Sequence, residues 1–286
     1  PAFTGRRPKR EPAVDCSPLD HEFVQVFRLA ALQAGAVARR LQGRVCAETK
    51  GGGSPEAEAL TAVDLAAQDV ILHLLHARLP GVAVDAEEDT DTVALFPRAT
   101  PGGPLVVVDP VDGTLNYIRG SRDYAVMGAL LQDGRYTSAV VHFPAHRSTY
   151  WAVRGAGCHA VDAYGTEERC TTARAADRIF HSPRTPRAWR ARMATQTAEV
   201  RLCRCSAVDG SAPATGRARA AVAEGRADRR RAIALFLSLE AGATVRMGSR
   251  IWGGEDPESL PDSLGPTVVA DTAERAESLA NALSAA

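Results

Sequence analysis

The chain has 286 residues, of which 45% are hydrophobic and 24% charged, a composition typical of globular proteins. Its 34 basic and 34 acidic residues cancel, so bulk charge gives no support for binding to nucleic acid or to a membrane surface. The apolar runs are too short to predict a membrane span. The six cysteines lack zinc-type spacing, which favours reduced thiols and a cytoplasmic protein.

The N-terminal part is predicted to be helical after a flexible basic arm at residues 1–15. Ser17-Pro18-Leu19-Asp20 has the features of a helix start: a capping serine, a proline in the first position and an acid in the first turn. The helix is predicted to run to about Leu41. Apolar side chains share one of its faces: Phe23, Val26, Phe27, Ala30 and Ala34.

A flexible glycine-rich loop is predicted at residues 49–55, before a second helix that opens at Thr61. Asp64 falls in the first turn of this helix. Its simplest interpretation is a capping box, in which Thr61 and Asp64 satisfy each other's free backbone N–H groups. A short strand is then predicted at residues 82–88, and it ends in two adjacent glutamates, Glu87 and Glu88.

The most informative stretch is the apolar run from Leu105 to Val108 and the turn that follows it, Asp109-Pro-Val-Asp-Gly-Thr114. Proline fixes one backbone angle between the two aspartates, and Gly113 permits a sharp turn. Two carboxylates on such a stiff turn can share a hard cation, and oxygen-rich sites suit Mg²⁺. A lone Asp-x-x-Asp is usually an ordinary acidic turn, but the complete string at a strand end favours a metal site.

The rest of the chain divides near residue 173. Before it, strands at 124–132 and 136–143 flank a hairpin turn at Asp133-Gly134, and a meander of strands follows. After it, shorter strands and helices alternate. We predict an N-terminal α+β half at 16–172 and a C-terminal α/β half at 173–286, with the functional site between them. His142 and His146 flank a proline and are interpreted as structural.

The string from Asp109 to Asn116 resembles the first signature of the inositol monophosphatase superfamily, a group of magnesium-dependent, lithium-sensitive phosphatases. The resemblance covers about residues 18–284. It implies a fold of alternating α-β-α-β-α layers and two or three Mg²⁺ ions per site. It further implies hydrolysis of a small phosphorylated metabolite, such as an inositol, sugar or nucleoside phosphate, by a cytoplasmic homodimer.

The resemblance also implies a role for each site residue. The metal ligands would be Glu87, Asp109, the carbonyl of Val111 and Asp112. The attacking water would be oriented by Asp64, Glu87 and Thr114. The substrate would be held by Gly113, Thr114 and Ser206, and the loop at 49–55 would act as a lid.

The second signature of the superfamily is degraded. Counting back from Glu240 places Arg229-Arg230 where the superfamily has Trp-Asp, whose aspartate completes the metal cluster. An arginine cannot be deprotonated in a protein and cannot ligate Mg²⁺. A solvated basic helix start would account for Arg229 and Arg231, but not for Arg230.

Two explanations compete. In the first, Asp228 supplies the missing ligand, roughly 5 Å from Asp112, while Arg229, Arg230 or Arg231 binds a second phosphate or a carboxylate. Alternatively, the second metal site is lost, and the chain is an impaired family member that binds a phosphorylated ligand or a partner. We expect the first, a working phosphatase.

Overall fold

The structure, a computed structural model, describes residues 16–43, 48–49, 59–60, 62–225, 227–260 and 265–284. The predicted basic arm, most of the predicted lid loop and Thr61 lie outside the described residues. None of the helices in the described ranges is both long and apolar enough to cross a membrane.

A seven-stranded sheet forms the N-terminal half, in the order β3-β4-β5-β6-β7-β8-β9. Only the β3–β4 pair is parallel, and the other neighbours run antiparallel. The two-residue strands β1 (Glu48–Thr49) and β2 (Ala59–Leu60) pair separately. The strands of the sheet are β3 (Ala83–Asp85), β4 (Leu105–Asp112), β5 (Ala125–Gln132), β6 (Arg135–Phe143), β7 (Ser148–Val153), β8 (Gly157–Val161) and β9 (Glu167–Arg169).

Two helices, α1 (Pro18–Leu41) and α2 (Ala62–Arg78), cover one face of this sheet. The predicted start of α1 is confirmed, because the Ser17 side chain caps the helix by accepting from the Asp20 N–H at 3.1 Å. The predicted apolar face of α1 is buried. The hairpin predicted at Asp133-Gly134 is also confirmed, with φ of 50° and 68° at its two central residues.

A six-stranded sheet forms the C-terminal half, in the order β11-β10-β12-β15-β13-β14. The pairs that β10 makes with β11 and β12 are parallel, and the others are antiparallel. Its strands are β10 (Arg178–His181), β11 (Glu199–Leu202), β12 (Ala220–Ala223), β13 (Thr244–Met247), β14 (Arg250–Ile251) and β15 (Thr267–Ala270).

The two sheets enclose a middle layer of helices, α5 (Ser206–Gly210) and α6 (Arg229–Glu240). Alternate residues of β4 point to opposite sides, as the strand period requires: Val106 and Val108 pack against α1 and α2, while Val107 joins the core around α5 and α6. Helices α4 (Arg187–Met193) and α7 (Ala273–Ser284) cover the outer face of the second sheet. A short helix, α3 (Thr114–Ile118), follows β4. This arrangement confirms the predicted α-β-α-β-α layers.

The predicted boundaries differ most at the central motif. The strand expected to end at Val108 continues to Asp112. Between Asp109 and Asp112, β4 advances three residues while β5 advances two, from Met127 to Ala125. The resulting bulge accommodates a proline, which has no N–H to donate to the ladder. Sequence periodicity did not predict α5, because this helix is only five residues long.

The buried His142 makes the stability of this fold depend on pH. It is 4% exposed, and its Nδ1 lies 2.9 Å from the Thr149 Oγ1. Burial lowers its pKa from 6.5 to about 4. An unfolded chain therefore binds a proton at this histidine at a higher pH than the folded chain does. The resulting stability is complete above pH 6.5 and is lost as the pH falls towards 4.

We predict that wild-type protein loses about 2 kcal/mol more unfolding free energy between pH 7 and pH 5 than His142→Gln does. The measurement is urea denaturation at the two pH values, with His21→Gln, a change at an exposed histidine, as the control. If His142→Gln and the control showed the same pH dependence, the assigned origin would be wrong.

Candidate active site

The first acidic group of the central motif, Asp109, is enclosed by protein. It is 5% exposed, and its Oδ1 atom is buried without a hydrogen-bond partner. Burial raises its pKa well above the usual range, and the negative charges of Glu87 and Asp112 raise it further. Such an oxygen is costly to bury unless a cation or a donor compensates it.

Glu87 follows β3 and reaches the same cluster. The residue is exposed as a whole, but the protein atoms around its carboxyl group partly desolvate it. Desolvation raises its pKa to about 7. Asp109 lies close enough to share a hydrogen bond with it, and the charges of Asp112 and Asp64 also act on it. The structure thus brings together the four carboxylates that the sequence predicted.

Asp64 and Thr114 form a second predicted pair. Asp64 lies in the first turn of α2 and is 2% exposed. The Thr114 hydroxyl, at the start of α3, lies 3.3 Å from the Asp64 Oδ1 and 3.0 Å from the Val111 carbonyl oxygen. A hydroxyl has one proton and two lone pairs, so it donates to one of these oxygens and can accept from another group.

Gly113 allows this turn to pass close to the C-terminal half. Its φ of 84° lies in the left-handed region that favours glycine. A Cβ at this position would lie 3.1 Å from both the Asp123 carbonyl oxygen and the Cβ of Cys205. Both the backbone conformation and the available space therefore call for glycine here.

Asp112 uses both of its carboxylate oxygens to bind the start of α5. Oδ1 accepts from the Ser206 N–H at 3.2 Å and from the Ser206 hydroxyl at 2.5 Å. Oδ2 accepts from the Ala207 N–H and the Cys205 thiol, each at 2.7 Å. Burial and the neighbouring Asp112 raise the pKa of the Cys205 thiol, which keeps its proton for this bond. We call this group of four hydrogen bonds the Asp112 latch.

The latch contains a residue that the sequence prediction did not single out, Cys205. A lone cysteine carries no local sequence signal for such a role. Ser206 was predicted to bind substrate; its hydroxyl here donates to Asp112.

Asp228 is placed differently from the expectation. It is exposed and caps α6, with its Oδ1 accepting from the Arg231 N–H at 2.8 Å. One oxygen of the carboxylate is thus engaged by its own helix, and the residue is exposed. The physical reason is that an aspartate directly before a helix is a strong acceptor for the free N–H groups of the first turn.

The three arginines that open α6 all make ion pairs. Arg229 binds Asp256 at 2.6 Å, Asp85 at 3.0 Å and Glu258 at 2.9 Å. Arg231 binds the buried Asp209 at 3.1 Å. The interpretation of Arg229 and Arg231 as a solvated basic helix start is therefore wrong. Arg230 reaches the cluster: its Nη2 donates to the Ala86 carbonyl at 2.7 Å and to Asp85 at 3.3 Å.

The acidic residues have the donor chemistry that a divalent cation prefers. The unpartnered Asp109 oxygen and the mutual repulsion of Glu87, Asp109 and Asp112 are the features that a hard cation would relieve. As the side chains stand, no three acidic, histidine or cysteine residues in the described part of the chain already surround a metal-sized space. Asp228 uses its Oδ1 to cap its helix, and Arg230 brings a positive charge to the cluster.

Comparison with solved structures supports the same fold. The chain superimposes on an IMPase of Thermotoga maritima with a TM-score of 0.73 and 20% identity, covering 93% of this chain and 97% of that one. It also superimposes on an IMPase/NADP phosphatase complexed with Mg²⁺ and phosphate, with a TM-score of 0.71 and 19% identity, over 94% and 95% of the two chains. At these identities the likeness establishes the fold alone.

The family assignment comes from the sequence. The model of the inositol monophosphatase family matches residues 20–243, and the chain belongs to this family. Curated relatives include a Streptomyces griseus protein named glucose-1-phosphate thymidylyltransferase, 36% identical over 48% of this chain and 50% of the relative. A Mycobacterium tuberculosis histidinol-phosphatase is 34% identical, over 37% and 38%. A Thermotoga maritima fructose-1,6-bisphosphatase/inositol-1-monophosphatase is 30% identical, over 35% and 36%. The matches span half or less of these relatives.

The Asp112 latch generates a stability prediction. In the presence of a metal chelator, Asp112→Asn should lower the free energy of unfolding by about 1–3 kcal/mol. The reason is that the NH₂ group of asparagine would face hydrogen-bond donors that a carboxylate oxygen now satisfies. Chemical denaturation of the metal-free protein measures this loss without any contribution from a bound ion.

Asp162→Asn is the matched control. Asp162 accepts two backbone N–H groups, at 2.8 and 2.9 Å, through Oδ1 alone, and the amide oxygen of asparagine can replace it. This exposed change should cost less than about 0.5 kcal/mol. Equal losses of unfolding free energy in the two variants would show that the Asp112 latch stabilises the fold no more than an ordinary surface hydrogen bond does.

Proposed function

We propose that this chain is a magnesium-dependent phosphomonoesterase that acts on a small phosphorylated metabolite: an inositol, sugar or nucleoside phosphate. The observation that carries the proposal is the placement of the Thr114–Asp64 pair beside the carboxylate cluster of Glu87 and Asp109. A water-orienting pair next to a cation site is the minimum that phosphoryl transfer to water requires. Family membership and the relatives named as phosphatases support the same reaction.

In the proposed site, Glu87, Asp109, Asp112 and the Val111 carbonyl would hold Mg²⁺. Asp112 also belongs to the latch, so its share in holding the ion is in addition to its bonds to α5. When bound, Mg²⁺ supplies polarisation of the phosphoryl group and acidifies water.

The side chains of this chain supply the positioning. Thr114 donates its proton to Asp64 and accepts from the attacking water through a lone pair, and Glu87 accepts from the same water. The backbone N–H groups of Gly113 and Thr114 hold phosphate oxygens. These roles fix the water in line with the bond that breaks, which is the main contribution a protein makes to this reaction.

A second candidate function is a non-catalytic family member that binds a phosphorylated ligand or a partner. Two observations favour it: Asp228 caps α6, and Arg230 brings a positive charge to the cluster. Phosphate release from a panel of inositol, sugar and nucleoside phosphates, with and without Mg²⁺, separates the two. A binder releases no phosphate from any member of the panel. Cytoplasmic location and a homodimer remain predictions from the resemblance.

Thr114→Ala should lower kcat by about a hundredfold and change KM little, because a residue that orients water matters mainly in the transition state. Steady-state kinetics on the best substrate of the panel measures both constants. Thr195→Ala is the matched control, since the Thr195 hydroxyl likewise lies within hydrogen-bond distance of the carbonyl three residues earlier, at 2.8 Å. A change in KM alone would show that Thr114 binds substrate instead of orienting water.

A further inference from the structure

Arg230 is held rigidly at the edge of the carboxylate cluster. Its Nη2 donates to the Ala86 carbonyl, the group directly before Glu87, and to the Asp85 Oδ1. Arg229 binds the other oxygen of Asp85 at 3.0 Å and is itself anchored by Asp256. The Asp85 carboxylate is shared by Arg229 and Arg230, and it therefore helps to position the Arg230 guanidinium.

The charge of Arg230 acts on the groups that would hold the ion. It opposes the rise in the pKa of both Glu87 and Asp109. An arginine is charged at every working pH, so this compensation is permanent. Like-signed charges repel strongly at short range in a partly desolvated site. A divalent cation therefore has no favourable place next to this guanidinium.

Two buried polar atoms of the site are left without partners, and they require partners of opposite charge. Asp109 Oδ1 lacks a donor or a cation, and Arg230 Nε lacks an acceptor. One cation beside Asp109 and one anionic oxygen beside Arg230 would satisfy both. A phosphate bound to a cation supplies both at once.

We infer that Arg230 takes the place of a second divalent cation, so that the site binds a single ion at Glu87 and Asp109 while the guanidinium binds an oxygen of the substrate phosphate. The inference rests on the proposed function for the identity of the anion, but the number of ions can be counted without any substrate. Arg229 is a positioning residue in this scheme, since it acts through Asp85.

The test is a count of Mn²⁺ ions bound per chain. Metal-free protein is titrated with Mn²⁺, and binding is monitored by calorimetry and by the paramagnetic signal of free Mn²⁺. Wild type should bind one ion. Arg230→Asp, which adds a carboxylate and removes the positive charge, should bind two. Arg230→Gln should bind its first ion about tenfold more tightly than wild type, because one repelling unit charge is gone.

Arg187→Asp is the matched control, because Arg187 is exposed at the first position of another helix and the change in charge is the same. It should bind one ion with wild-type affinity. Binding of two ions or of none by wild type would overturn the inference, and so would an unchanged count in folded Arg230→Asp. If that variant failed to fold, the wild-type count and the Arg230→Gln affinity would still decide.

This outcome is separable from the proposed function. An active wild type that binds two ions would refute the role of Arg230 and leave the phosphatase assignment standing. A wild type that binds one ion but releases no phosphate from the substrate panel would refute the phosphatase assignment and leave the single-ion count standing.

Discussion

The repulsion among carboxylates at the end of β4 is the constraint that shapes the rest of this molecule. Glu87, Asp109 and Asp112 come together in a partly desolvated cluster, and burial raises the pKa values of the first two. The fold answers this repulsion in two ways, with hydrogen bonds to Asp112 and with the fixed charge of Arg230. The Asp109 Oδ1 is still left without a partner, and a bound cation would relieve this remaining deficit.

The Asp112 latch connects this electrostatic constraint to the architecture. Asp112 belongs to the seven-stranded sheet, and its four donors come from the segment that opens α5, which packs between the two sheets. The same carboxylate therefore joins the two halves and faces the proposed cation. Since Gly113 has no side chain, the turn can approach Cys205 closely enough for these bonds to form.

Much of the fold could be predicted from the sequence, because long amphipathic helices and glycine turns leave local signals. The ends of α1 and the hairpin at Asp133-Gly134 followed from such signals, whereas the layer order was implied by the family resemblance of the central motif. The parts that could not be predicted depend on tertiary contacts. Asp228 was expected to be a metal ligand, and its bond to the first turn of α6 became visible only in the structure. The ion pairs of Arg229 and Arg231 join residues far apart in the chain.

The central claim, that the carboxylate cluster is built to hold a divalent cation, is tested most directly by thermal unfolding of metal-free protein with increasing MgCl₂. Binding to the folded state alone should raise stability by about 2.7 kcal/mol at a hundred times the dissociation constant, or roughly 5–10 °C in Tm for a chain of this size. NaCl at equal ionic strength should give a much smaller rise. If MgCl₂ raised Tm no more than the NaCl control does, the cluster would not be a cation site.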